Sequence, residues 1–315
     1  MQAFMIVVPV FALVAIGYVF ARTKLLSDTA HKGLSEYAFG IAMPAQLFRT
    51  TAKAGTPGAD TFALWGAYFG TVAIVWVMAV LFTRYVLRRP PADGVSIAMS
   101  SVYGNVLMIG LPLAVAGFGE RVLVPVALIL SLNTPLLWLA GSFHMEWVER
   151  KEGGSIATLL GSLAKELSRN ALILSILLGT LWSVLGLGLY QPVEKVIDLL
   201  AMSGVPCALV ALGATLIRFR IHGQMPTLLS VVLLKLLVMP AVAWVLSFLV
   251  FRLPPLQGAA VVLLSAMPAG ANAFLFAMRY ERVVNSASGA VALGTALALL
   301  TSLLVLGVLI PRVPV

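Results

Sequence analysis

The sequence predicts an all-α integral membrane protein of ten transmembrane helices. They form two five-helix inverted repeats, with broken crossover helices in the fourth and ninth spans. Three observations carry this reading. Hydrophobic residues make up 61% of the 315-residue chain and charged residues only 10%, with a mean hydropathy of +1.03; a soluble domain carries about 25% charged residues. Lys and Arg fall unevenly on alternate connections between the apolar segments, and landmark residues of the first half recur in the second at a nearly constant offset.

A spanning helix needs roughly 20 apolar residues. Ten such segments lie at roughly 3–21, 33–52, 61–83, 93–118, 122–145, 169–188, 194–217, 227–250, 257–279 and 286–310. The first reads as a span rather than a cleaved signal, because no basic stretch precedes it and Arg22 and Lys24 follow it. The short connections leave no room for a sizeable soluble domain. Arg22, Lys24, Lys32, Arg84, Arg88, Arg89, Arg150, Lys151, Lys165, Arg169, Arg218, Arg220, Arg279 and Arg282 fall on one side, which is 14. Arg49, Lys53, Arg121, Lys195, Arg252 and Arg312 fall on the other, which is 6; Lys235, inside the eighth span, completes the 21. The positive-inside rule places the first group in the cytoplasm and both termini outside, in a cytoplasmic (inner) membrane. The net charge of +9 is spread over these loops, so it reports topology and not a nucleic-acid surface. Cys207 is the single cysteine, which excludes an internal disulfide and a cysteine-based metal cluster.

The longest connection, about Glu146 to Ser168, divides the chain into a first repeat (1–146), a cytoplasmic connecting loop (147–167) and a second repeat (168–315). Gly17 recurs as Gly179, Glu36 as Asp198 and Pro44 as Pro206, all 162 residues apart. Pro90-Pro91-x-x-Gly94 recurs as Pro254-Pro255-x-x-Gly258 at 164, and Glu120-Arg121 as Glu281-Arg282 at 161. Five is odd, so the second copy enters the membrane from the opposite face, a plan shared by many secondary transporters.

The chemistry concentrates in the fourth span of each half. Tyr103-Gly104-Asn105-Val106-Leu107-Met108-Ile109-Gly110-Leu111-Pro112 and Ala266-Met267-Pro268-Ala269-Gly270-Ala271-Asn272 both place Pro and Gly in mid-span. Proline lacks a backbone N–H and clashes with the preceding turn. In hydrocarbon a freed backbone group survives only where it is buried in protein or lines a cavity. Each break ends one half-helix in exposed carbonyls and opens the next with exposed N–H groups, and such positive ends hold anions. The candidate substrate-binding residues are Gly104, Asn105, Gly110, Pro112, Pro268, Gly270 and Asn272, with Asn133 from the polar break Asn133-Thr134-Pro135, which either faces the same cavity or packs by hydrogen bonds against a neighbouring helix. The blander reading is that Pro and Gly only kink two helices and that the asparagines bond freed backbone; two breaks at matching positions argue against it. Lys235, Glu36 and Asp198 are candidates for coupling or gating. Their alternatives are snorkelling to the interface for Lys235 and marking the wet ends of helices for the two acids. Gly66-x-x-x-Gly70 fits a close helix contact. His31, His144 and His222 are dispersed and make no metal site, and no phosphate-binding loop, zinc-protease pair or nucleophile elbow occurs. No metal, cofactor or enzymatic activity is expected.

At these motifs the sequence resembles the auxin efflux carrier family, which includes plant PIN carriers and bacterial permeases for malonate, malate and related acids. The likeness runs through Ile16-Gly17-Tyr18 and Ala42-Met43-Pro44-Ala45. It is most specific at Asn105-x-x-x-x-Gly110-x-Pro112-Leu113, and it resumes at Ala266-Met267-Pro268-Ala269-Gly270 with Phe274-Leu275-Phe276-Ala277. The resemblance implies a scaffold domain from the first, second, sixth and seventh spans and a transport domain in which the fourth and ninth spans cross beside a carboxylate. It also implies a homodimer. Asn272 fits the bacterial members better than the plant carriers, and the long cytoplasmic loop of many plant carriers is absent. The expected function is alternating-access transport of a small organic acid. The alternatives are a sodium- or proton-coupled symporter of the bile-acid or antiporter type, and a membrane metabolite sensor that does not transport.

Overall fold

Proline placement explains much of how these helices are shaped. A computed structural model describes residues 1–53, 60–149, 161, 171–220 and 224–313. Arg150 to Gly154, Lys165, Glu166, Arg169 and His222, which entered the topology argument, lie outside them. Among the described residues the chain is all-helical. α1 is Gln2–Arg22, and α2 (Asp28–Tyr37) runs through a π-helical turn, Ala38–Ala42, into α3 (Met43–Lys53). α4 is Asp60–Tyr85 and α5 is Pro91–Val102; a π turn at Val106–Gly110 leads to α6 (Leu111–Phe118), and α7 is Leu123–Glu149. The second half holds α8 (Ala171–Val184), α9 (Gln191–Leu216), and α10 (Met225–Leu233), joined through a π turn at Leu234–Val238 to α11 (Met239–Val245). α12 (Pro255–Ser265), α13 (Ala271–Arg279) and α14 (Val284–Leu309) follow. Three π turns end two residues before a proline, at Pro44, Pro112 and Pro240. A proline cannot donate to the carbonyl four residues back and pushes it aside, so the helix widens there.

The element bounds repeat with the sequence landmarks. Adding 162 to Asp28–Lys53 gives 190–215, against Gln191–Leu216 for α9. Adding 164 to Pro91–Val102 gives 255–266, against Pro255–Ser265 for α12, and adding 161 to Leu123–Glu149 gives 284–310, against Val284–Leu309 for α14. Left-handed turn residues recur likewise, Lys24 with Gly186 and Arg88 with Arg252.

Among the described residues six helical stretches are long and apolar enough to cross a membrane: Gln2–Arg22, Thr61–Tyr85, Glu120–Glu149, Gln191–Leu216, Met225–Val250 and Val284–Arg312. Val106–Phe118, Ala171–Val184 and Pro255–Ser265 are apolar but shorter. The expected fourth and ninth spans fall short because each is cut in two by its break. Large apolar side chains such as Phe4, Leu81, Trp147, Leu178 and Leu304 point outward, a surface that suits lipid and not water. The protein is thus a multi-pass membrane protein.

Helix contacts sort into two groups. α1 lies along α9 and α3 along α8 and α9, while α4, α5, α7 and α10 to α14 pack mainly among themselves. The first group packs through glycine. A methyl group on Gly17 or on Gly213 would strike the backbone of the facing helix, at Val210 and Val14, and one on Gly179 would strike Thr51 and the Phe48 carbonyl. Gly66 and Gly70 of α4 receive the Phe251 ring and Leu246 from the same chain.

Candidate functional site

Two helices stop in mid-course, and their loose ends bond to each other. α5 ends at Val102, Tyr103 turns extended (φ −77°, ψ 91°), and Asn105 caps the π turn that follows. α12 ends at Ser265, and Gly270, also extended (φ −90°, ψ 164°), caps α13. The Asn105 N–H donates to the Pro268 carbonyl at 2.7 Å, and the Gly270 N–H donates to the Tyr103 carbonyl at 2.9 Å. Together they make an isolated antiparallel bridge between Gly104 and Ala269. The exchange satisfies backbone groups that the breaks release in the buried interior. Pro268 contributes only its carbonyl, so its missing N–H costs nothing here. The approach needs glycine: a methyl on Gly270 would stand 3.1 Å from the Gly104 oxygen and 3.3 Å from the Asn105 nitrogen.

Beside this bridge lies a cavity of about 330 Å³, at the small end of ligand sites. Tyr103 to Met108 and Gly270 to Asn272 form part of its wall; Phe39 of the π turn after α2, Leu47 of α3 and Leu172, Ile173 and Ile176 of α8 complete it, with Leu130 and Thr134 from α7. The first residues after each break, Val106 and Leu107 on one chain segment and Ala271 and Asn272 on the other, all line it. Both half-helix starts therefore border the same space, where their positive ends favour an anion.

Asn105 is 7% exposed, and its Oδ1 accepts the Met108 N–H at 3.2 Å. With the amide oriented by that bond, Nδ2 is a donor with no protein partner among the described residues. Asn272 Nδ2 donates to the Tyr103 hydroxyl at 2.8 Å, and that hydroxyl lies 2.6 Å from Thr134 Oγ1. Tyr103 thus joins both breaks to α7. It sits inside the stretch that sequence reasoning singled out, but only the fold reveals its role, because nothing in the residue type points to it. Phe39, Leu172 and Ile176 gave no signal at all, being apolar residues in apolar helices.

The other candidates divide. Asn133 is buried but does not line the cavity; its Oδ1 accepts from the Tyr68 hydroxyl at 3.0 Å, one residue before Thr134. Gly110 closes the π turn against Leu264 and Met267, and Pro112 opens α6, so both shape the break from behind. Glu36 is exposed on α2. Asp198 accepts from Arg49 at 2.8 Å, and Arg49 also pairs with Glu120. Arg49 therefore ties α3 to both α9 and the end of α6; exposed pairs of this kind contribute at most about 1 kcal/mol. A second cluster forms elsewhere, where Arg282 pairs with Glu149 at 3.2 Å and Arg89 with Asp93 at 2.9 Å. Lys235 does not snorkel. It is 1% exposed, and its ammonium donates to the carbonyls of Val102 at 3.3 Å and Ser265 at 3.1 Å and to the Met239 sulfur at 2.8 Å.

Comparison with known proteins places this architecture. A family model described as membrane transport protein matches residues 2–306. A Rhizobium meliloti (strain 1021) protein named "Putative malonate transporter" is 26% identical over 297 residues, covering 94% of this chain and 92% of the relative. A Methanothermobacter thermautotrophicus protein named "Uncharacterized transporter" is 25% identical over 307 residues, covering 94% of each.

Proposed function

The chain belongs to the membrane transport protein family, the auxin efflux carrier family that its motifs resemble, and from that premise we propose that it is a secondary transporter of small organic anions, carboxylates foremost. The observation that carries the reading is the cavity between the breaks. Two half-helix N-termini converge there, each worth about half a positive charge, beside an Asn105 amide donor that has no partner among the described residues, and among those residues no Lys or Arg lines the wall. A carboxylate accepts hydrogen bonds only. It would take the Asn105 Nδ2–H and the opening N–H groups of the π turn and of α13, with charge-assisted bonds on one side and an apolar wall of Phe39, Leu47 and Ile176 on the other. Asn272 would hold Tyr103 in place and present its free oxygen to a hydroxyl or protonated group on the same ligand.

Transport would proceed in a frame of ten crossings: α1, α2–α3, α4, α5–α6, α7, and their counterparts α8, α9, α10–α11, α12–α13, α14. The recurring element bounds support two inverted five-span repeats, and so does the reciprocal packing, with α1 on α9 where α8 lies on α3. The two broken spans would be the crossovers, moving with α4, α7, α10, α11 and α14 against a scaffold of α1 to α3, α8 and α9. The cavity lies between the two groups, so a shift of one against the other would open it to alternate faces. Arg49 with Glu120 would latch one end. The positive-inside count puts the Arg282–Glu149 end in the cytoplasm.

A binding screen tests the reading. Purified protein in detergent is expected to melt at a higher temperature in malonate, malate or succinate, with the rise saturating as concentration passes the dissociation constant. Indole-3-acetate tests the aromatic acids. Stabilisation by a cation or an uncharged amphipath, with none by any acid, would contradict the carboxylate assignment.

A further inference from the structure

The C-terminal ends of α5 and α12, whose last residues Val102 and Ser265 do not line the cavity, hold a charge of their own. An α-helix C-terminus carries about half a negative charge and several carbonyls without intrahelical partners. Val102 and Ser265 are the last residues of these two half-helices, and both of their carbonyls accept from the same Lys235 nitrogen. An ammonium has three hydrogens, and the third meets the Met239 sulfur. Three acceptors around one nitrogen suit the charged form, since a neutral amine would turn its lone pair on one of them. No carboxylate pairs with Lys235 among the described residues; the two half-charges of the helix ends balance its single positive charge. Gly104 makes the room, because a methyl there would sit 2.9 Å from the lysine nitrogen.

Half-helix C-termini and unwound carbonyls are the usual seat of a coupling cation in broken-helix transporters. Here that seat is taken by a side chain anchored in the π turn of the neighbouring span. We propose that Lys235 is the resident cation of the paired breaks, filling the position that a co-transported sodium ion would have to occupy, so that the protein holds its fold and moves its anion without sodium. The positive ends of the following half-helices are then left free to face the cavity. The sodium independence of flux rests on the transporter reading; the tenancy of the cation seat does not.

The test uses purified full-length protein, with sodium exchanged for choline at constant ionic strength. The wild-type melting temperature is expected to be the same in both. Lys235→Ala is expected to melt lower in choline and to regain part of the loss in sodium or methylammonium, as a small cation enters the vacated carbonyl pair; a lysine with only a packing role would show no such rescue. Lys235→Gln, which keeps donors but no charge, is expected to melt below wild type. In proteoliposomes, malonate uptake by the wild type is expected to be equal with and without sodium. A wild type that needs sodium for stability or uptake overturns the proposal. So does a Lys235→Gln protein as stable as wild type, or a Lys235→Ala protein indifferent to every cation. If Lys235→Ala does not fold, the wild-type and Lys235→Gln arms decide. If no acid is carried, the stability arms still decide, so the two readings fail separately.

Discussion

Asn105→Asp is expected to weaken carboxylate binding by roughly 100-fold or more while leaving the melting temperature close to wild type. The two effects separate because Asn105 does two jobs with two atoms. Its Oδ1 caps the π turn by accepting the Met108 N–H, and a carboxylate oxygen at a helix start performs that task equally well. Its Nδ2 is the donor offered to the cavity. Aspartate removes that donor and places a negative charge beside the incoming anion. A hydrogen bond to a charged group contributes about 1.5–3 kcal/mol, and repulsion adds to the loss, with each 1.4 kcal/mol worth about tenfold. Asn105→Ala is the companion variant: it also loses the cap, at about 1 kcal/mol, and is expected to melt lower as well as to bind poorly. Malonate titration by thermal shift or calorimetry reads both effects. An Asn105→Asp protein that binds malonate as tightly as wild type would move the ligand away from this break.

Gly104→Val is expected to be strongly destabilising, costing about 3–5 kcal/mol. The new side chain would begin 2.9 Å from the Lys235 nitrogen and 3.3 Å from the Met267 carbonyl. It would have to displace an ammonium that has no other partner in reach, or push apart the two backbones that the Asn105 and Gly270 bonds hold together. Gly33→Ala is the control. It lies on the exposed face of α2 with nothing within 4 Å of the added carbon, and alanine favours helix over glycine, so its melting temperature is expected to match or slightly exceed wild type. Equal melting of Gly104→Val and wild type would show that the breaks pack far more loosely than their contacts imply.

The breaks were legible in the sequence because Pro, Gly and Asn in mid-span have few other physical uses in hydrocarbon. Pairs such as Gly17 with Gly179 were legible as landmarks, and their missing side chains let helices touch. What could not be read was which groups each break would bond. Hydropathy locates Lys235 in a span but cannot say whether its long side chain runs to the interface or inward, since a proline nine residues earlier leaves both routes open. The inward route follows from Gly104, a residue in the extended link of another span. Tyr103 likewise gains its role only when Asn272 and Thr134 converge on its hydroxyl. Hydropathy alone also treats α5–α6 and α12–α13 as single spans, whereas each is two short helices and an extended link. The polarity that ends a helix there is carried by backbone groups, which a residue scale does not count.

Counterflow of labelled malonate in proteoliposomes tests the central claim most directly. Vesicles preloaded with unlabelled malonate are expected to accumulate label transiently and saturably, to be inhibited by malate or succinate, and to lose the signal in Asn105→Asp. Vesicles that show no counterflow with malonate, malate or succinate, although the same protein binds those acids in detergent, would contradict transport. The cavity between the breaks would then be the site of a sensor.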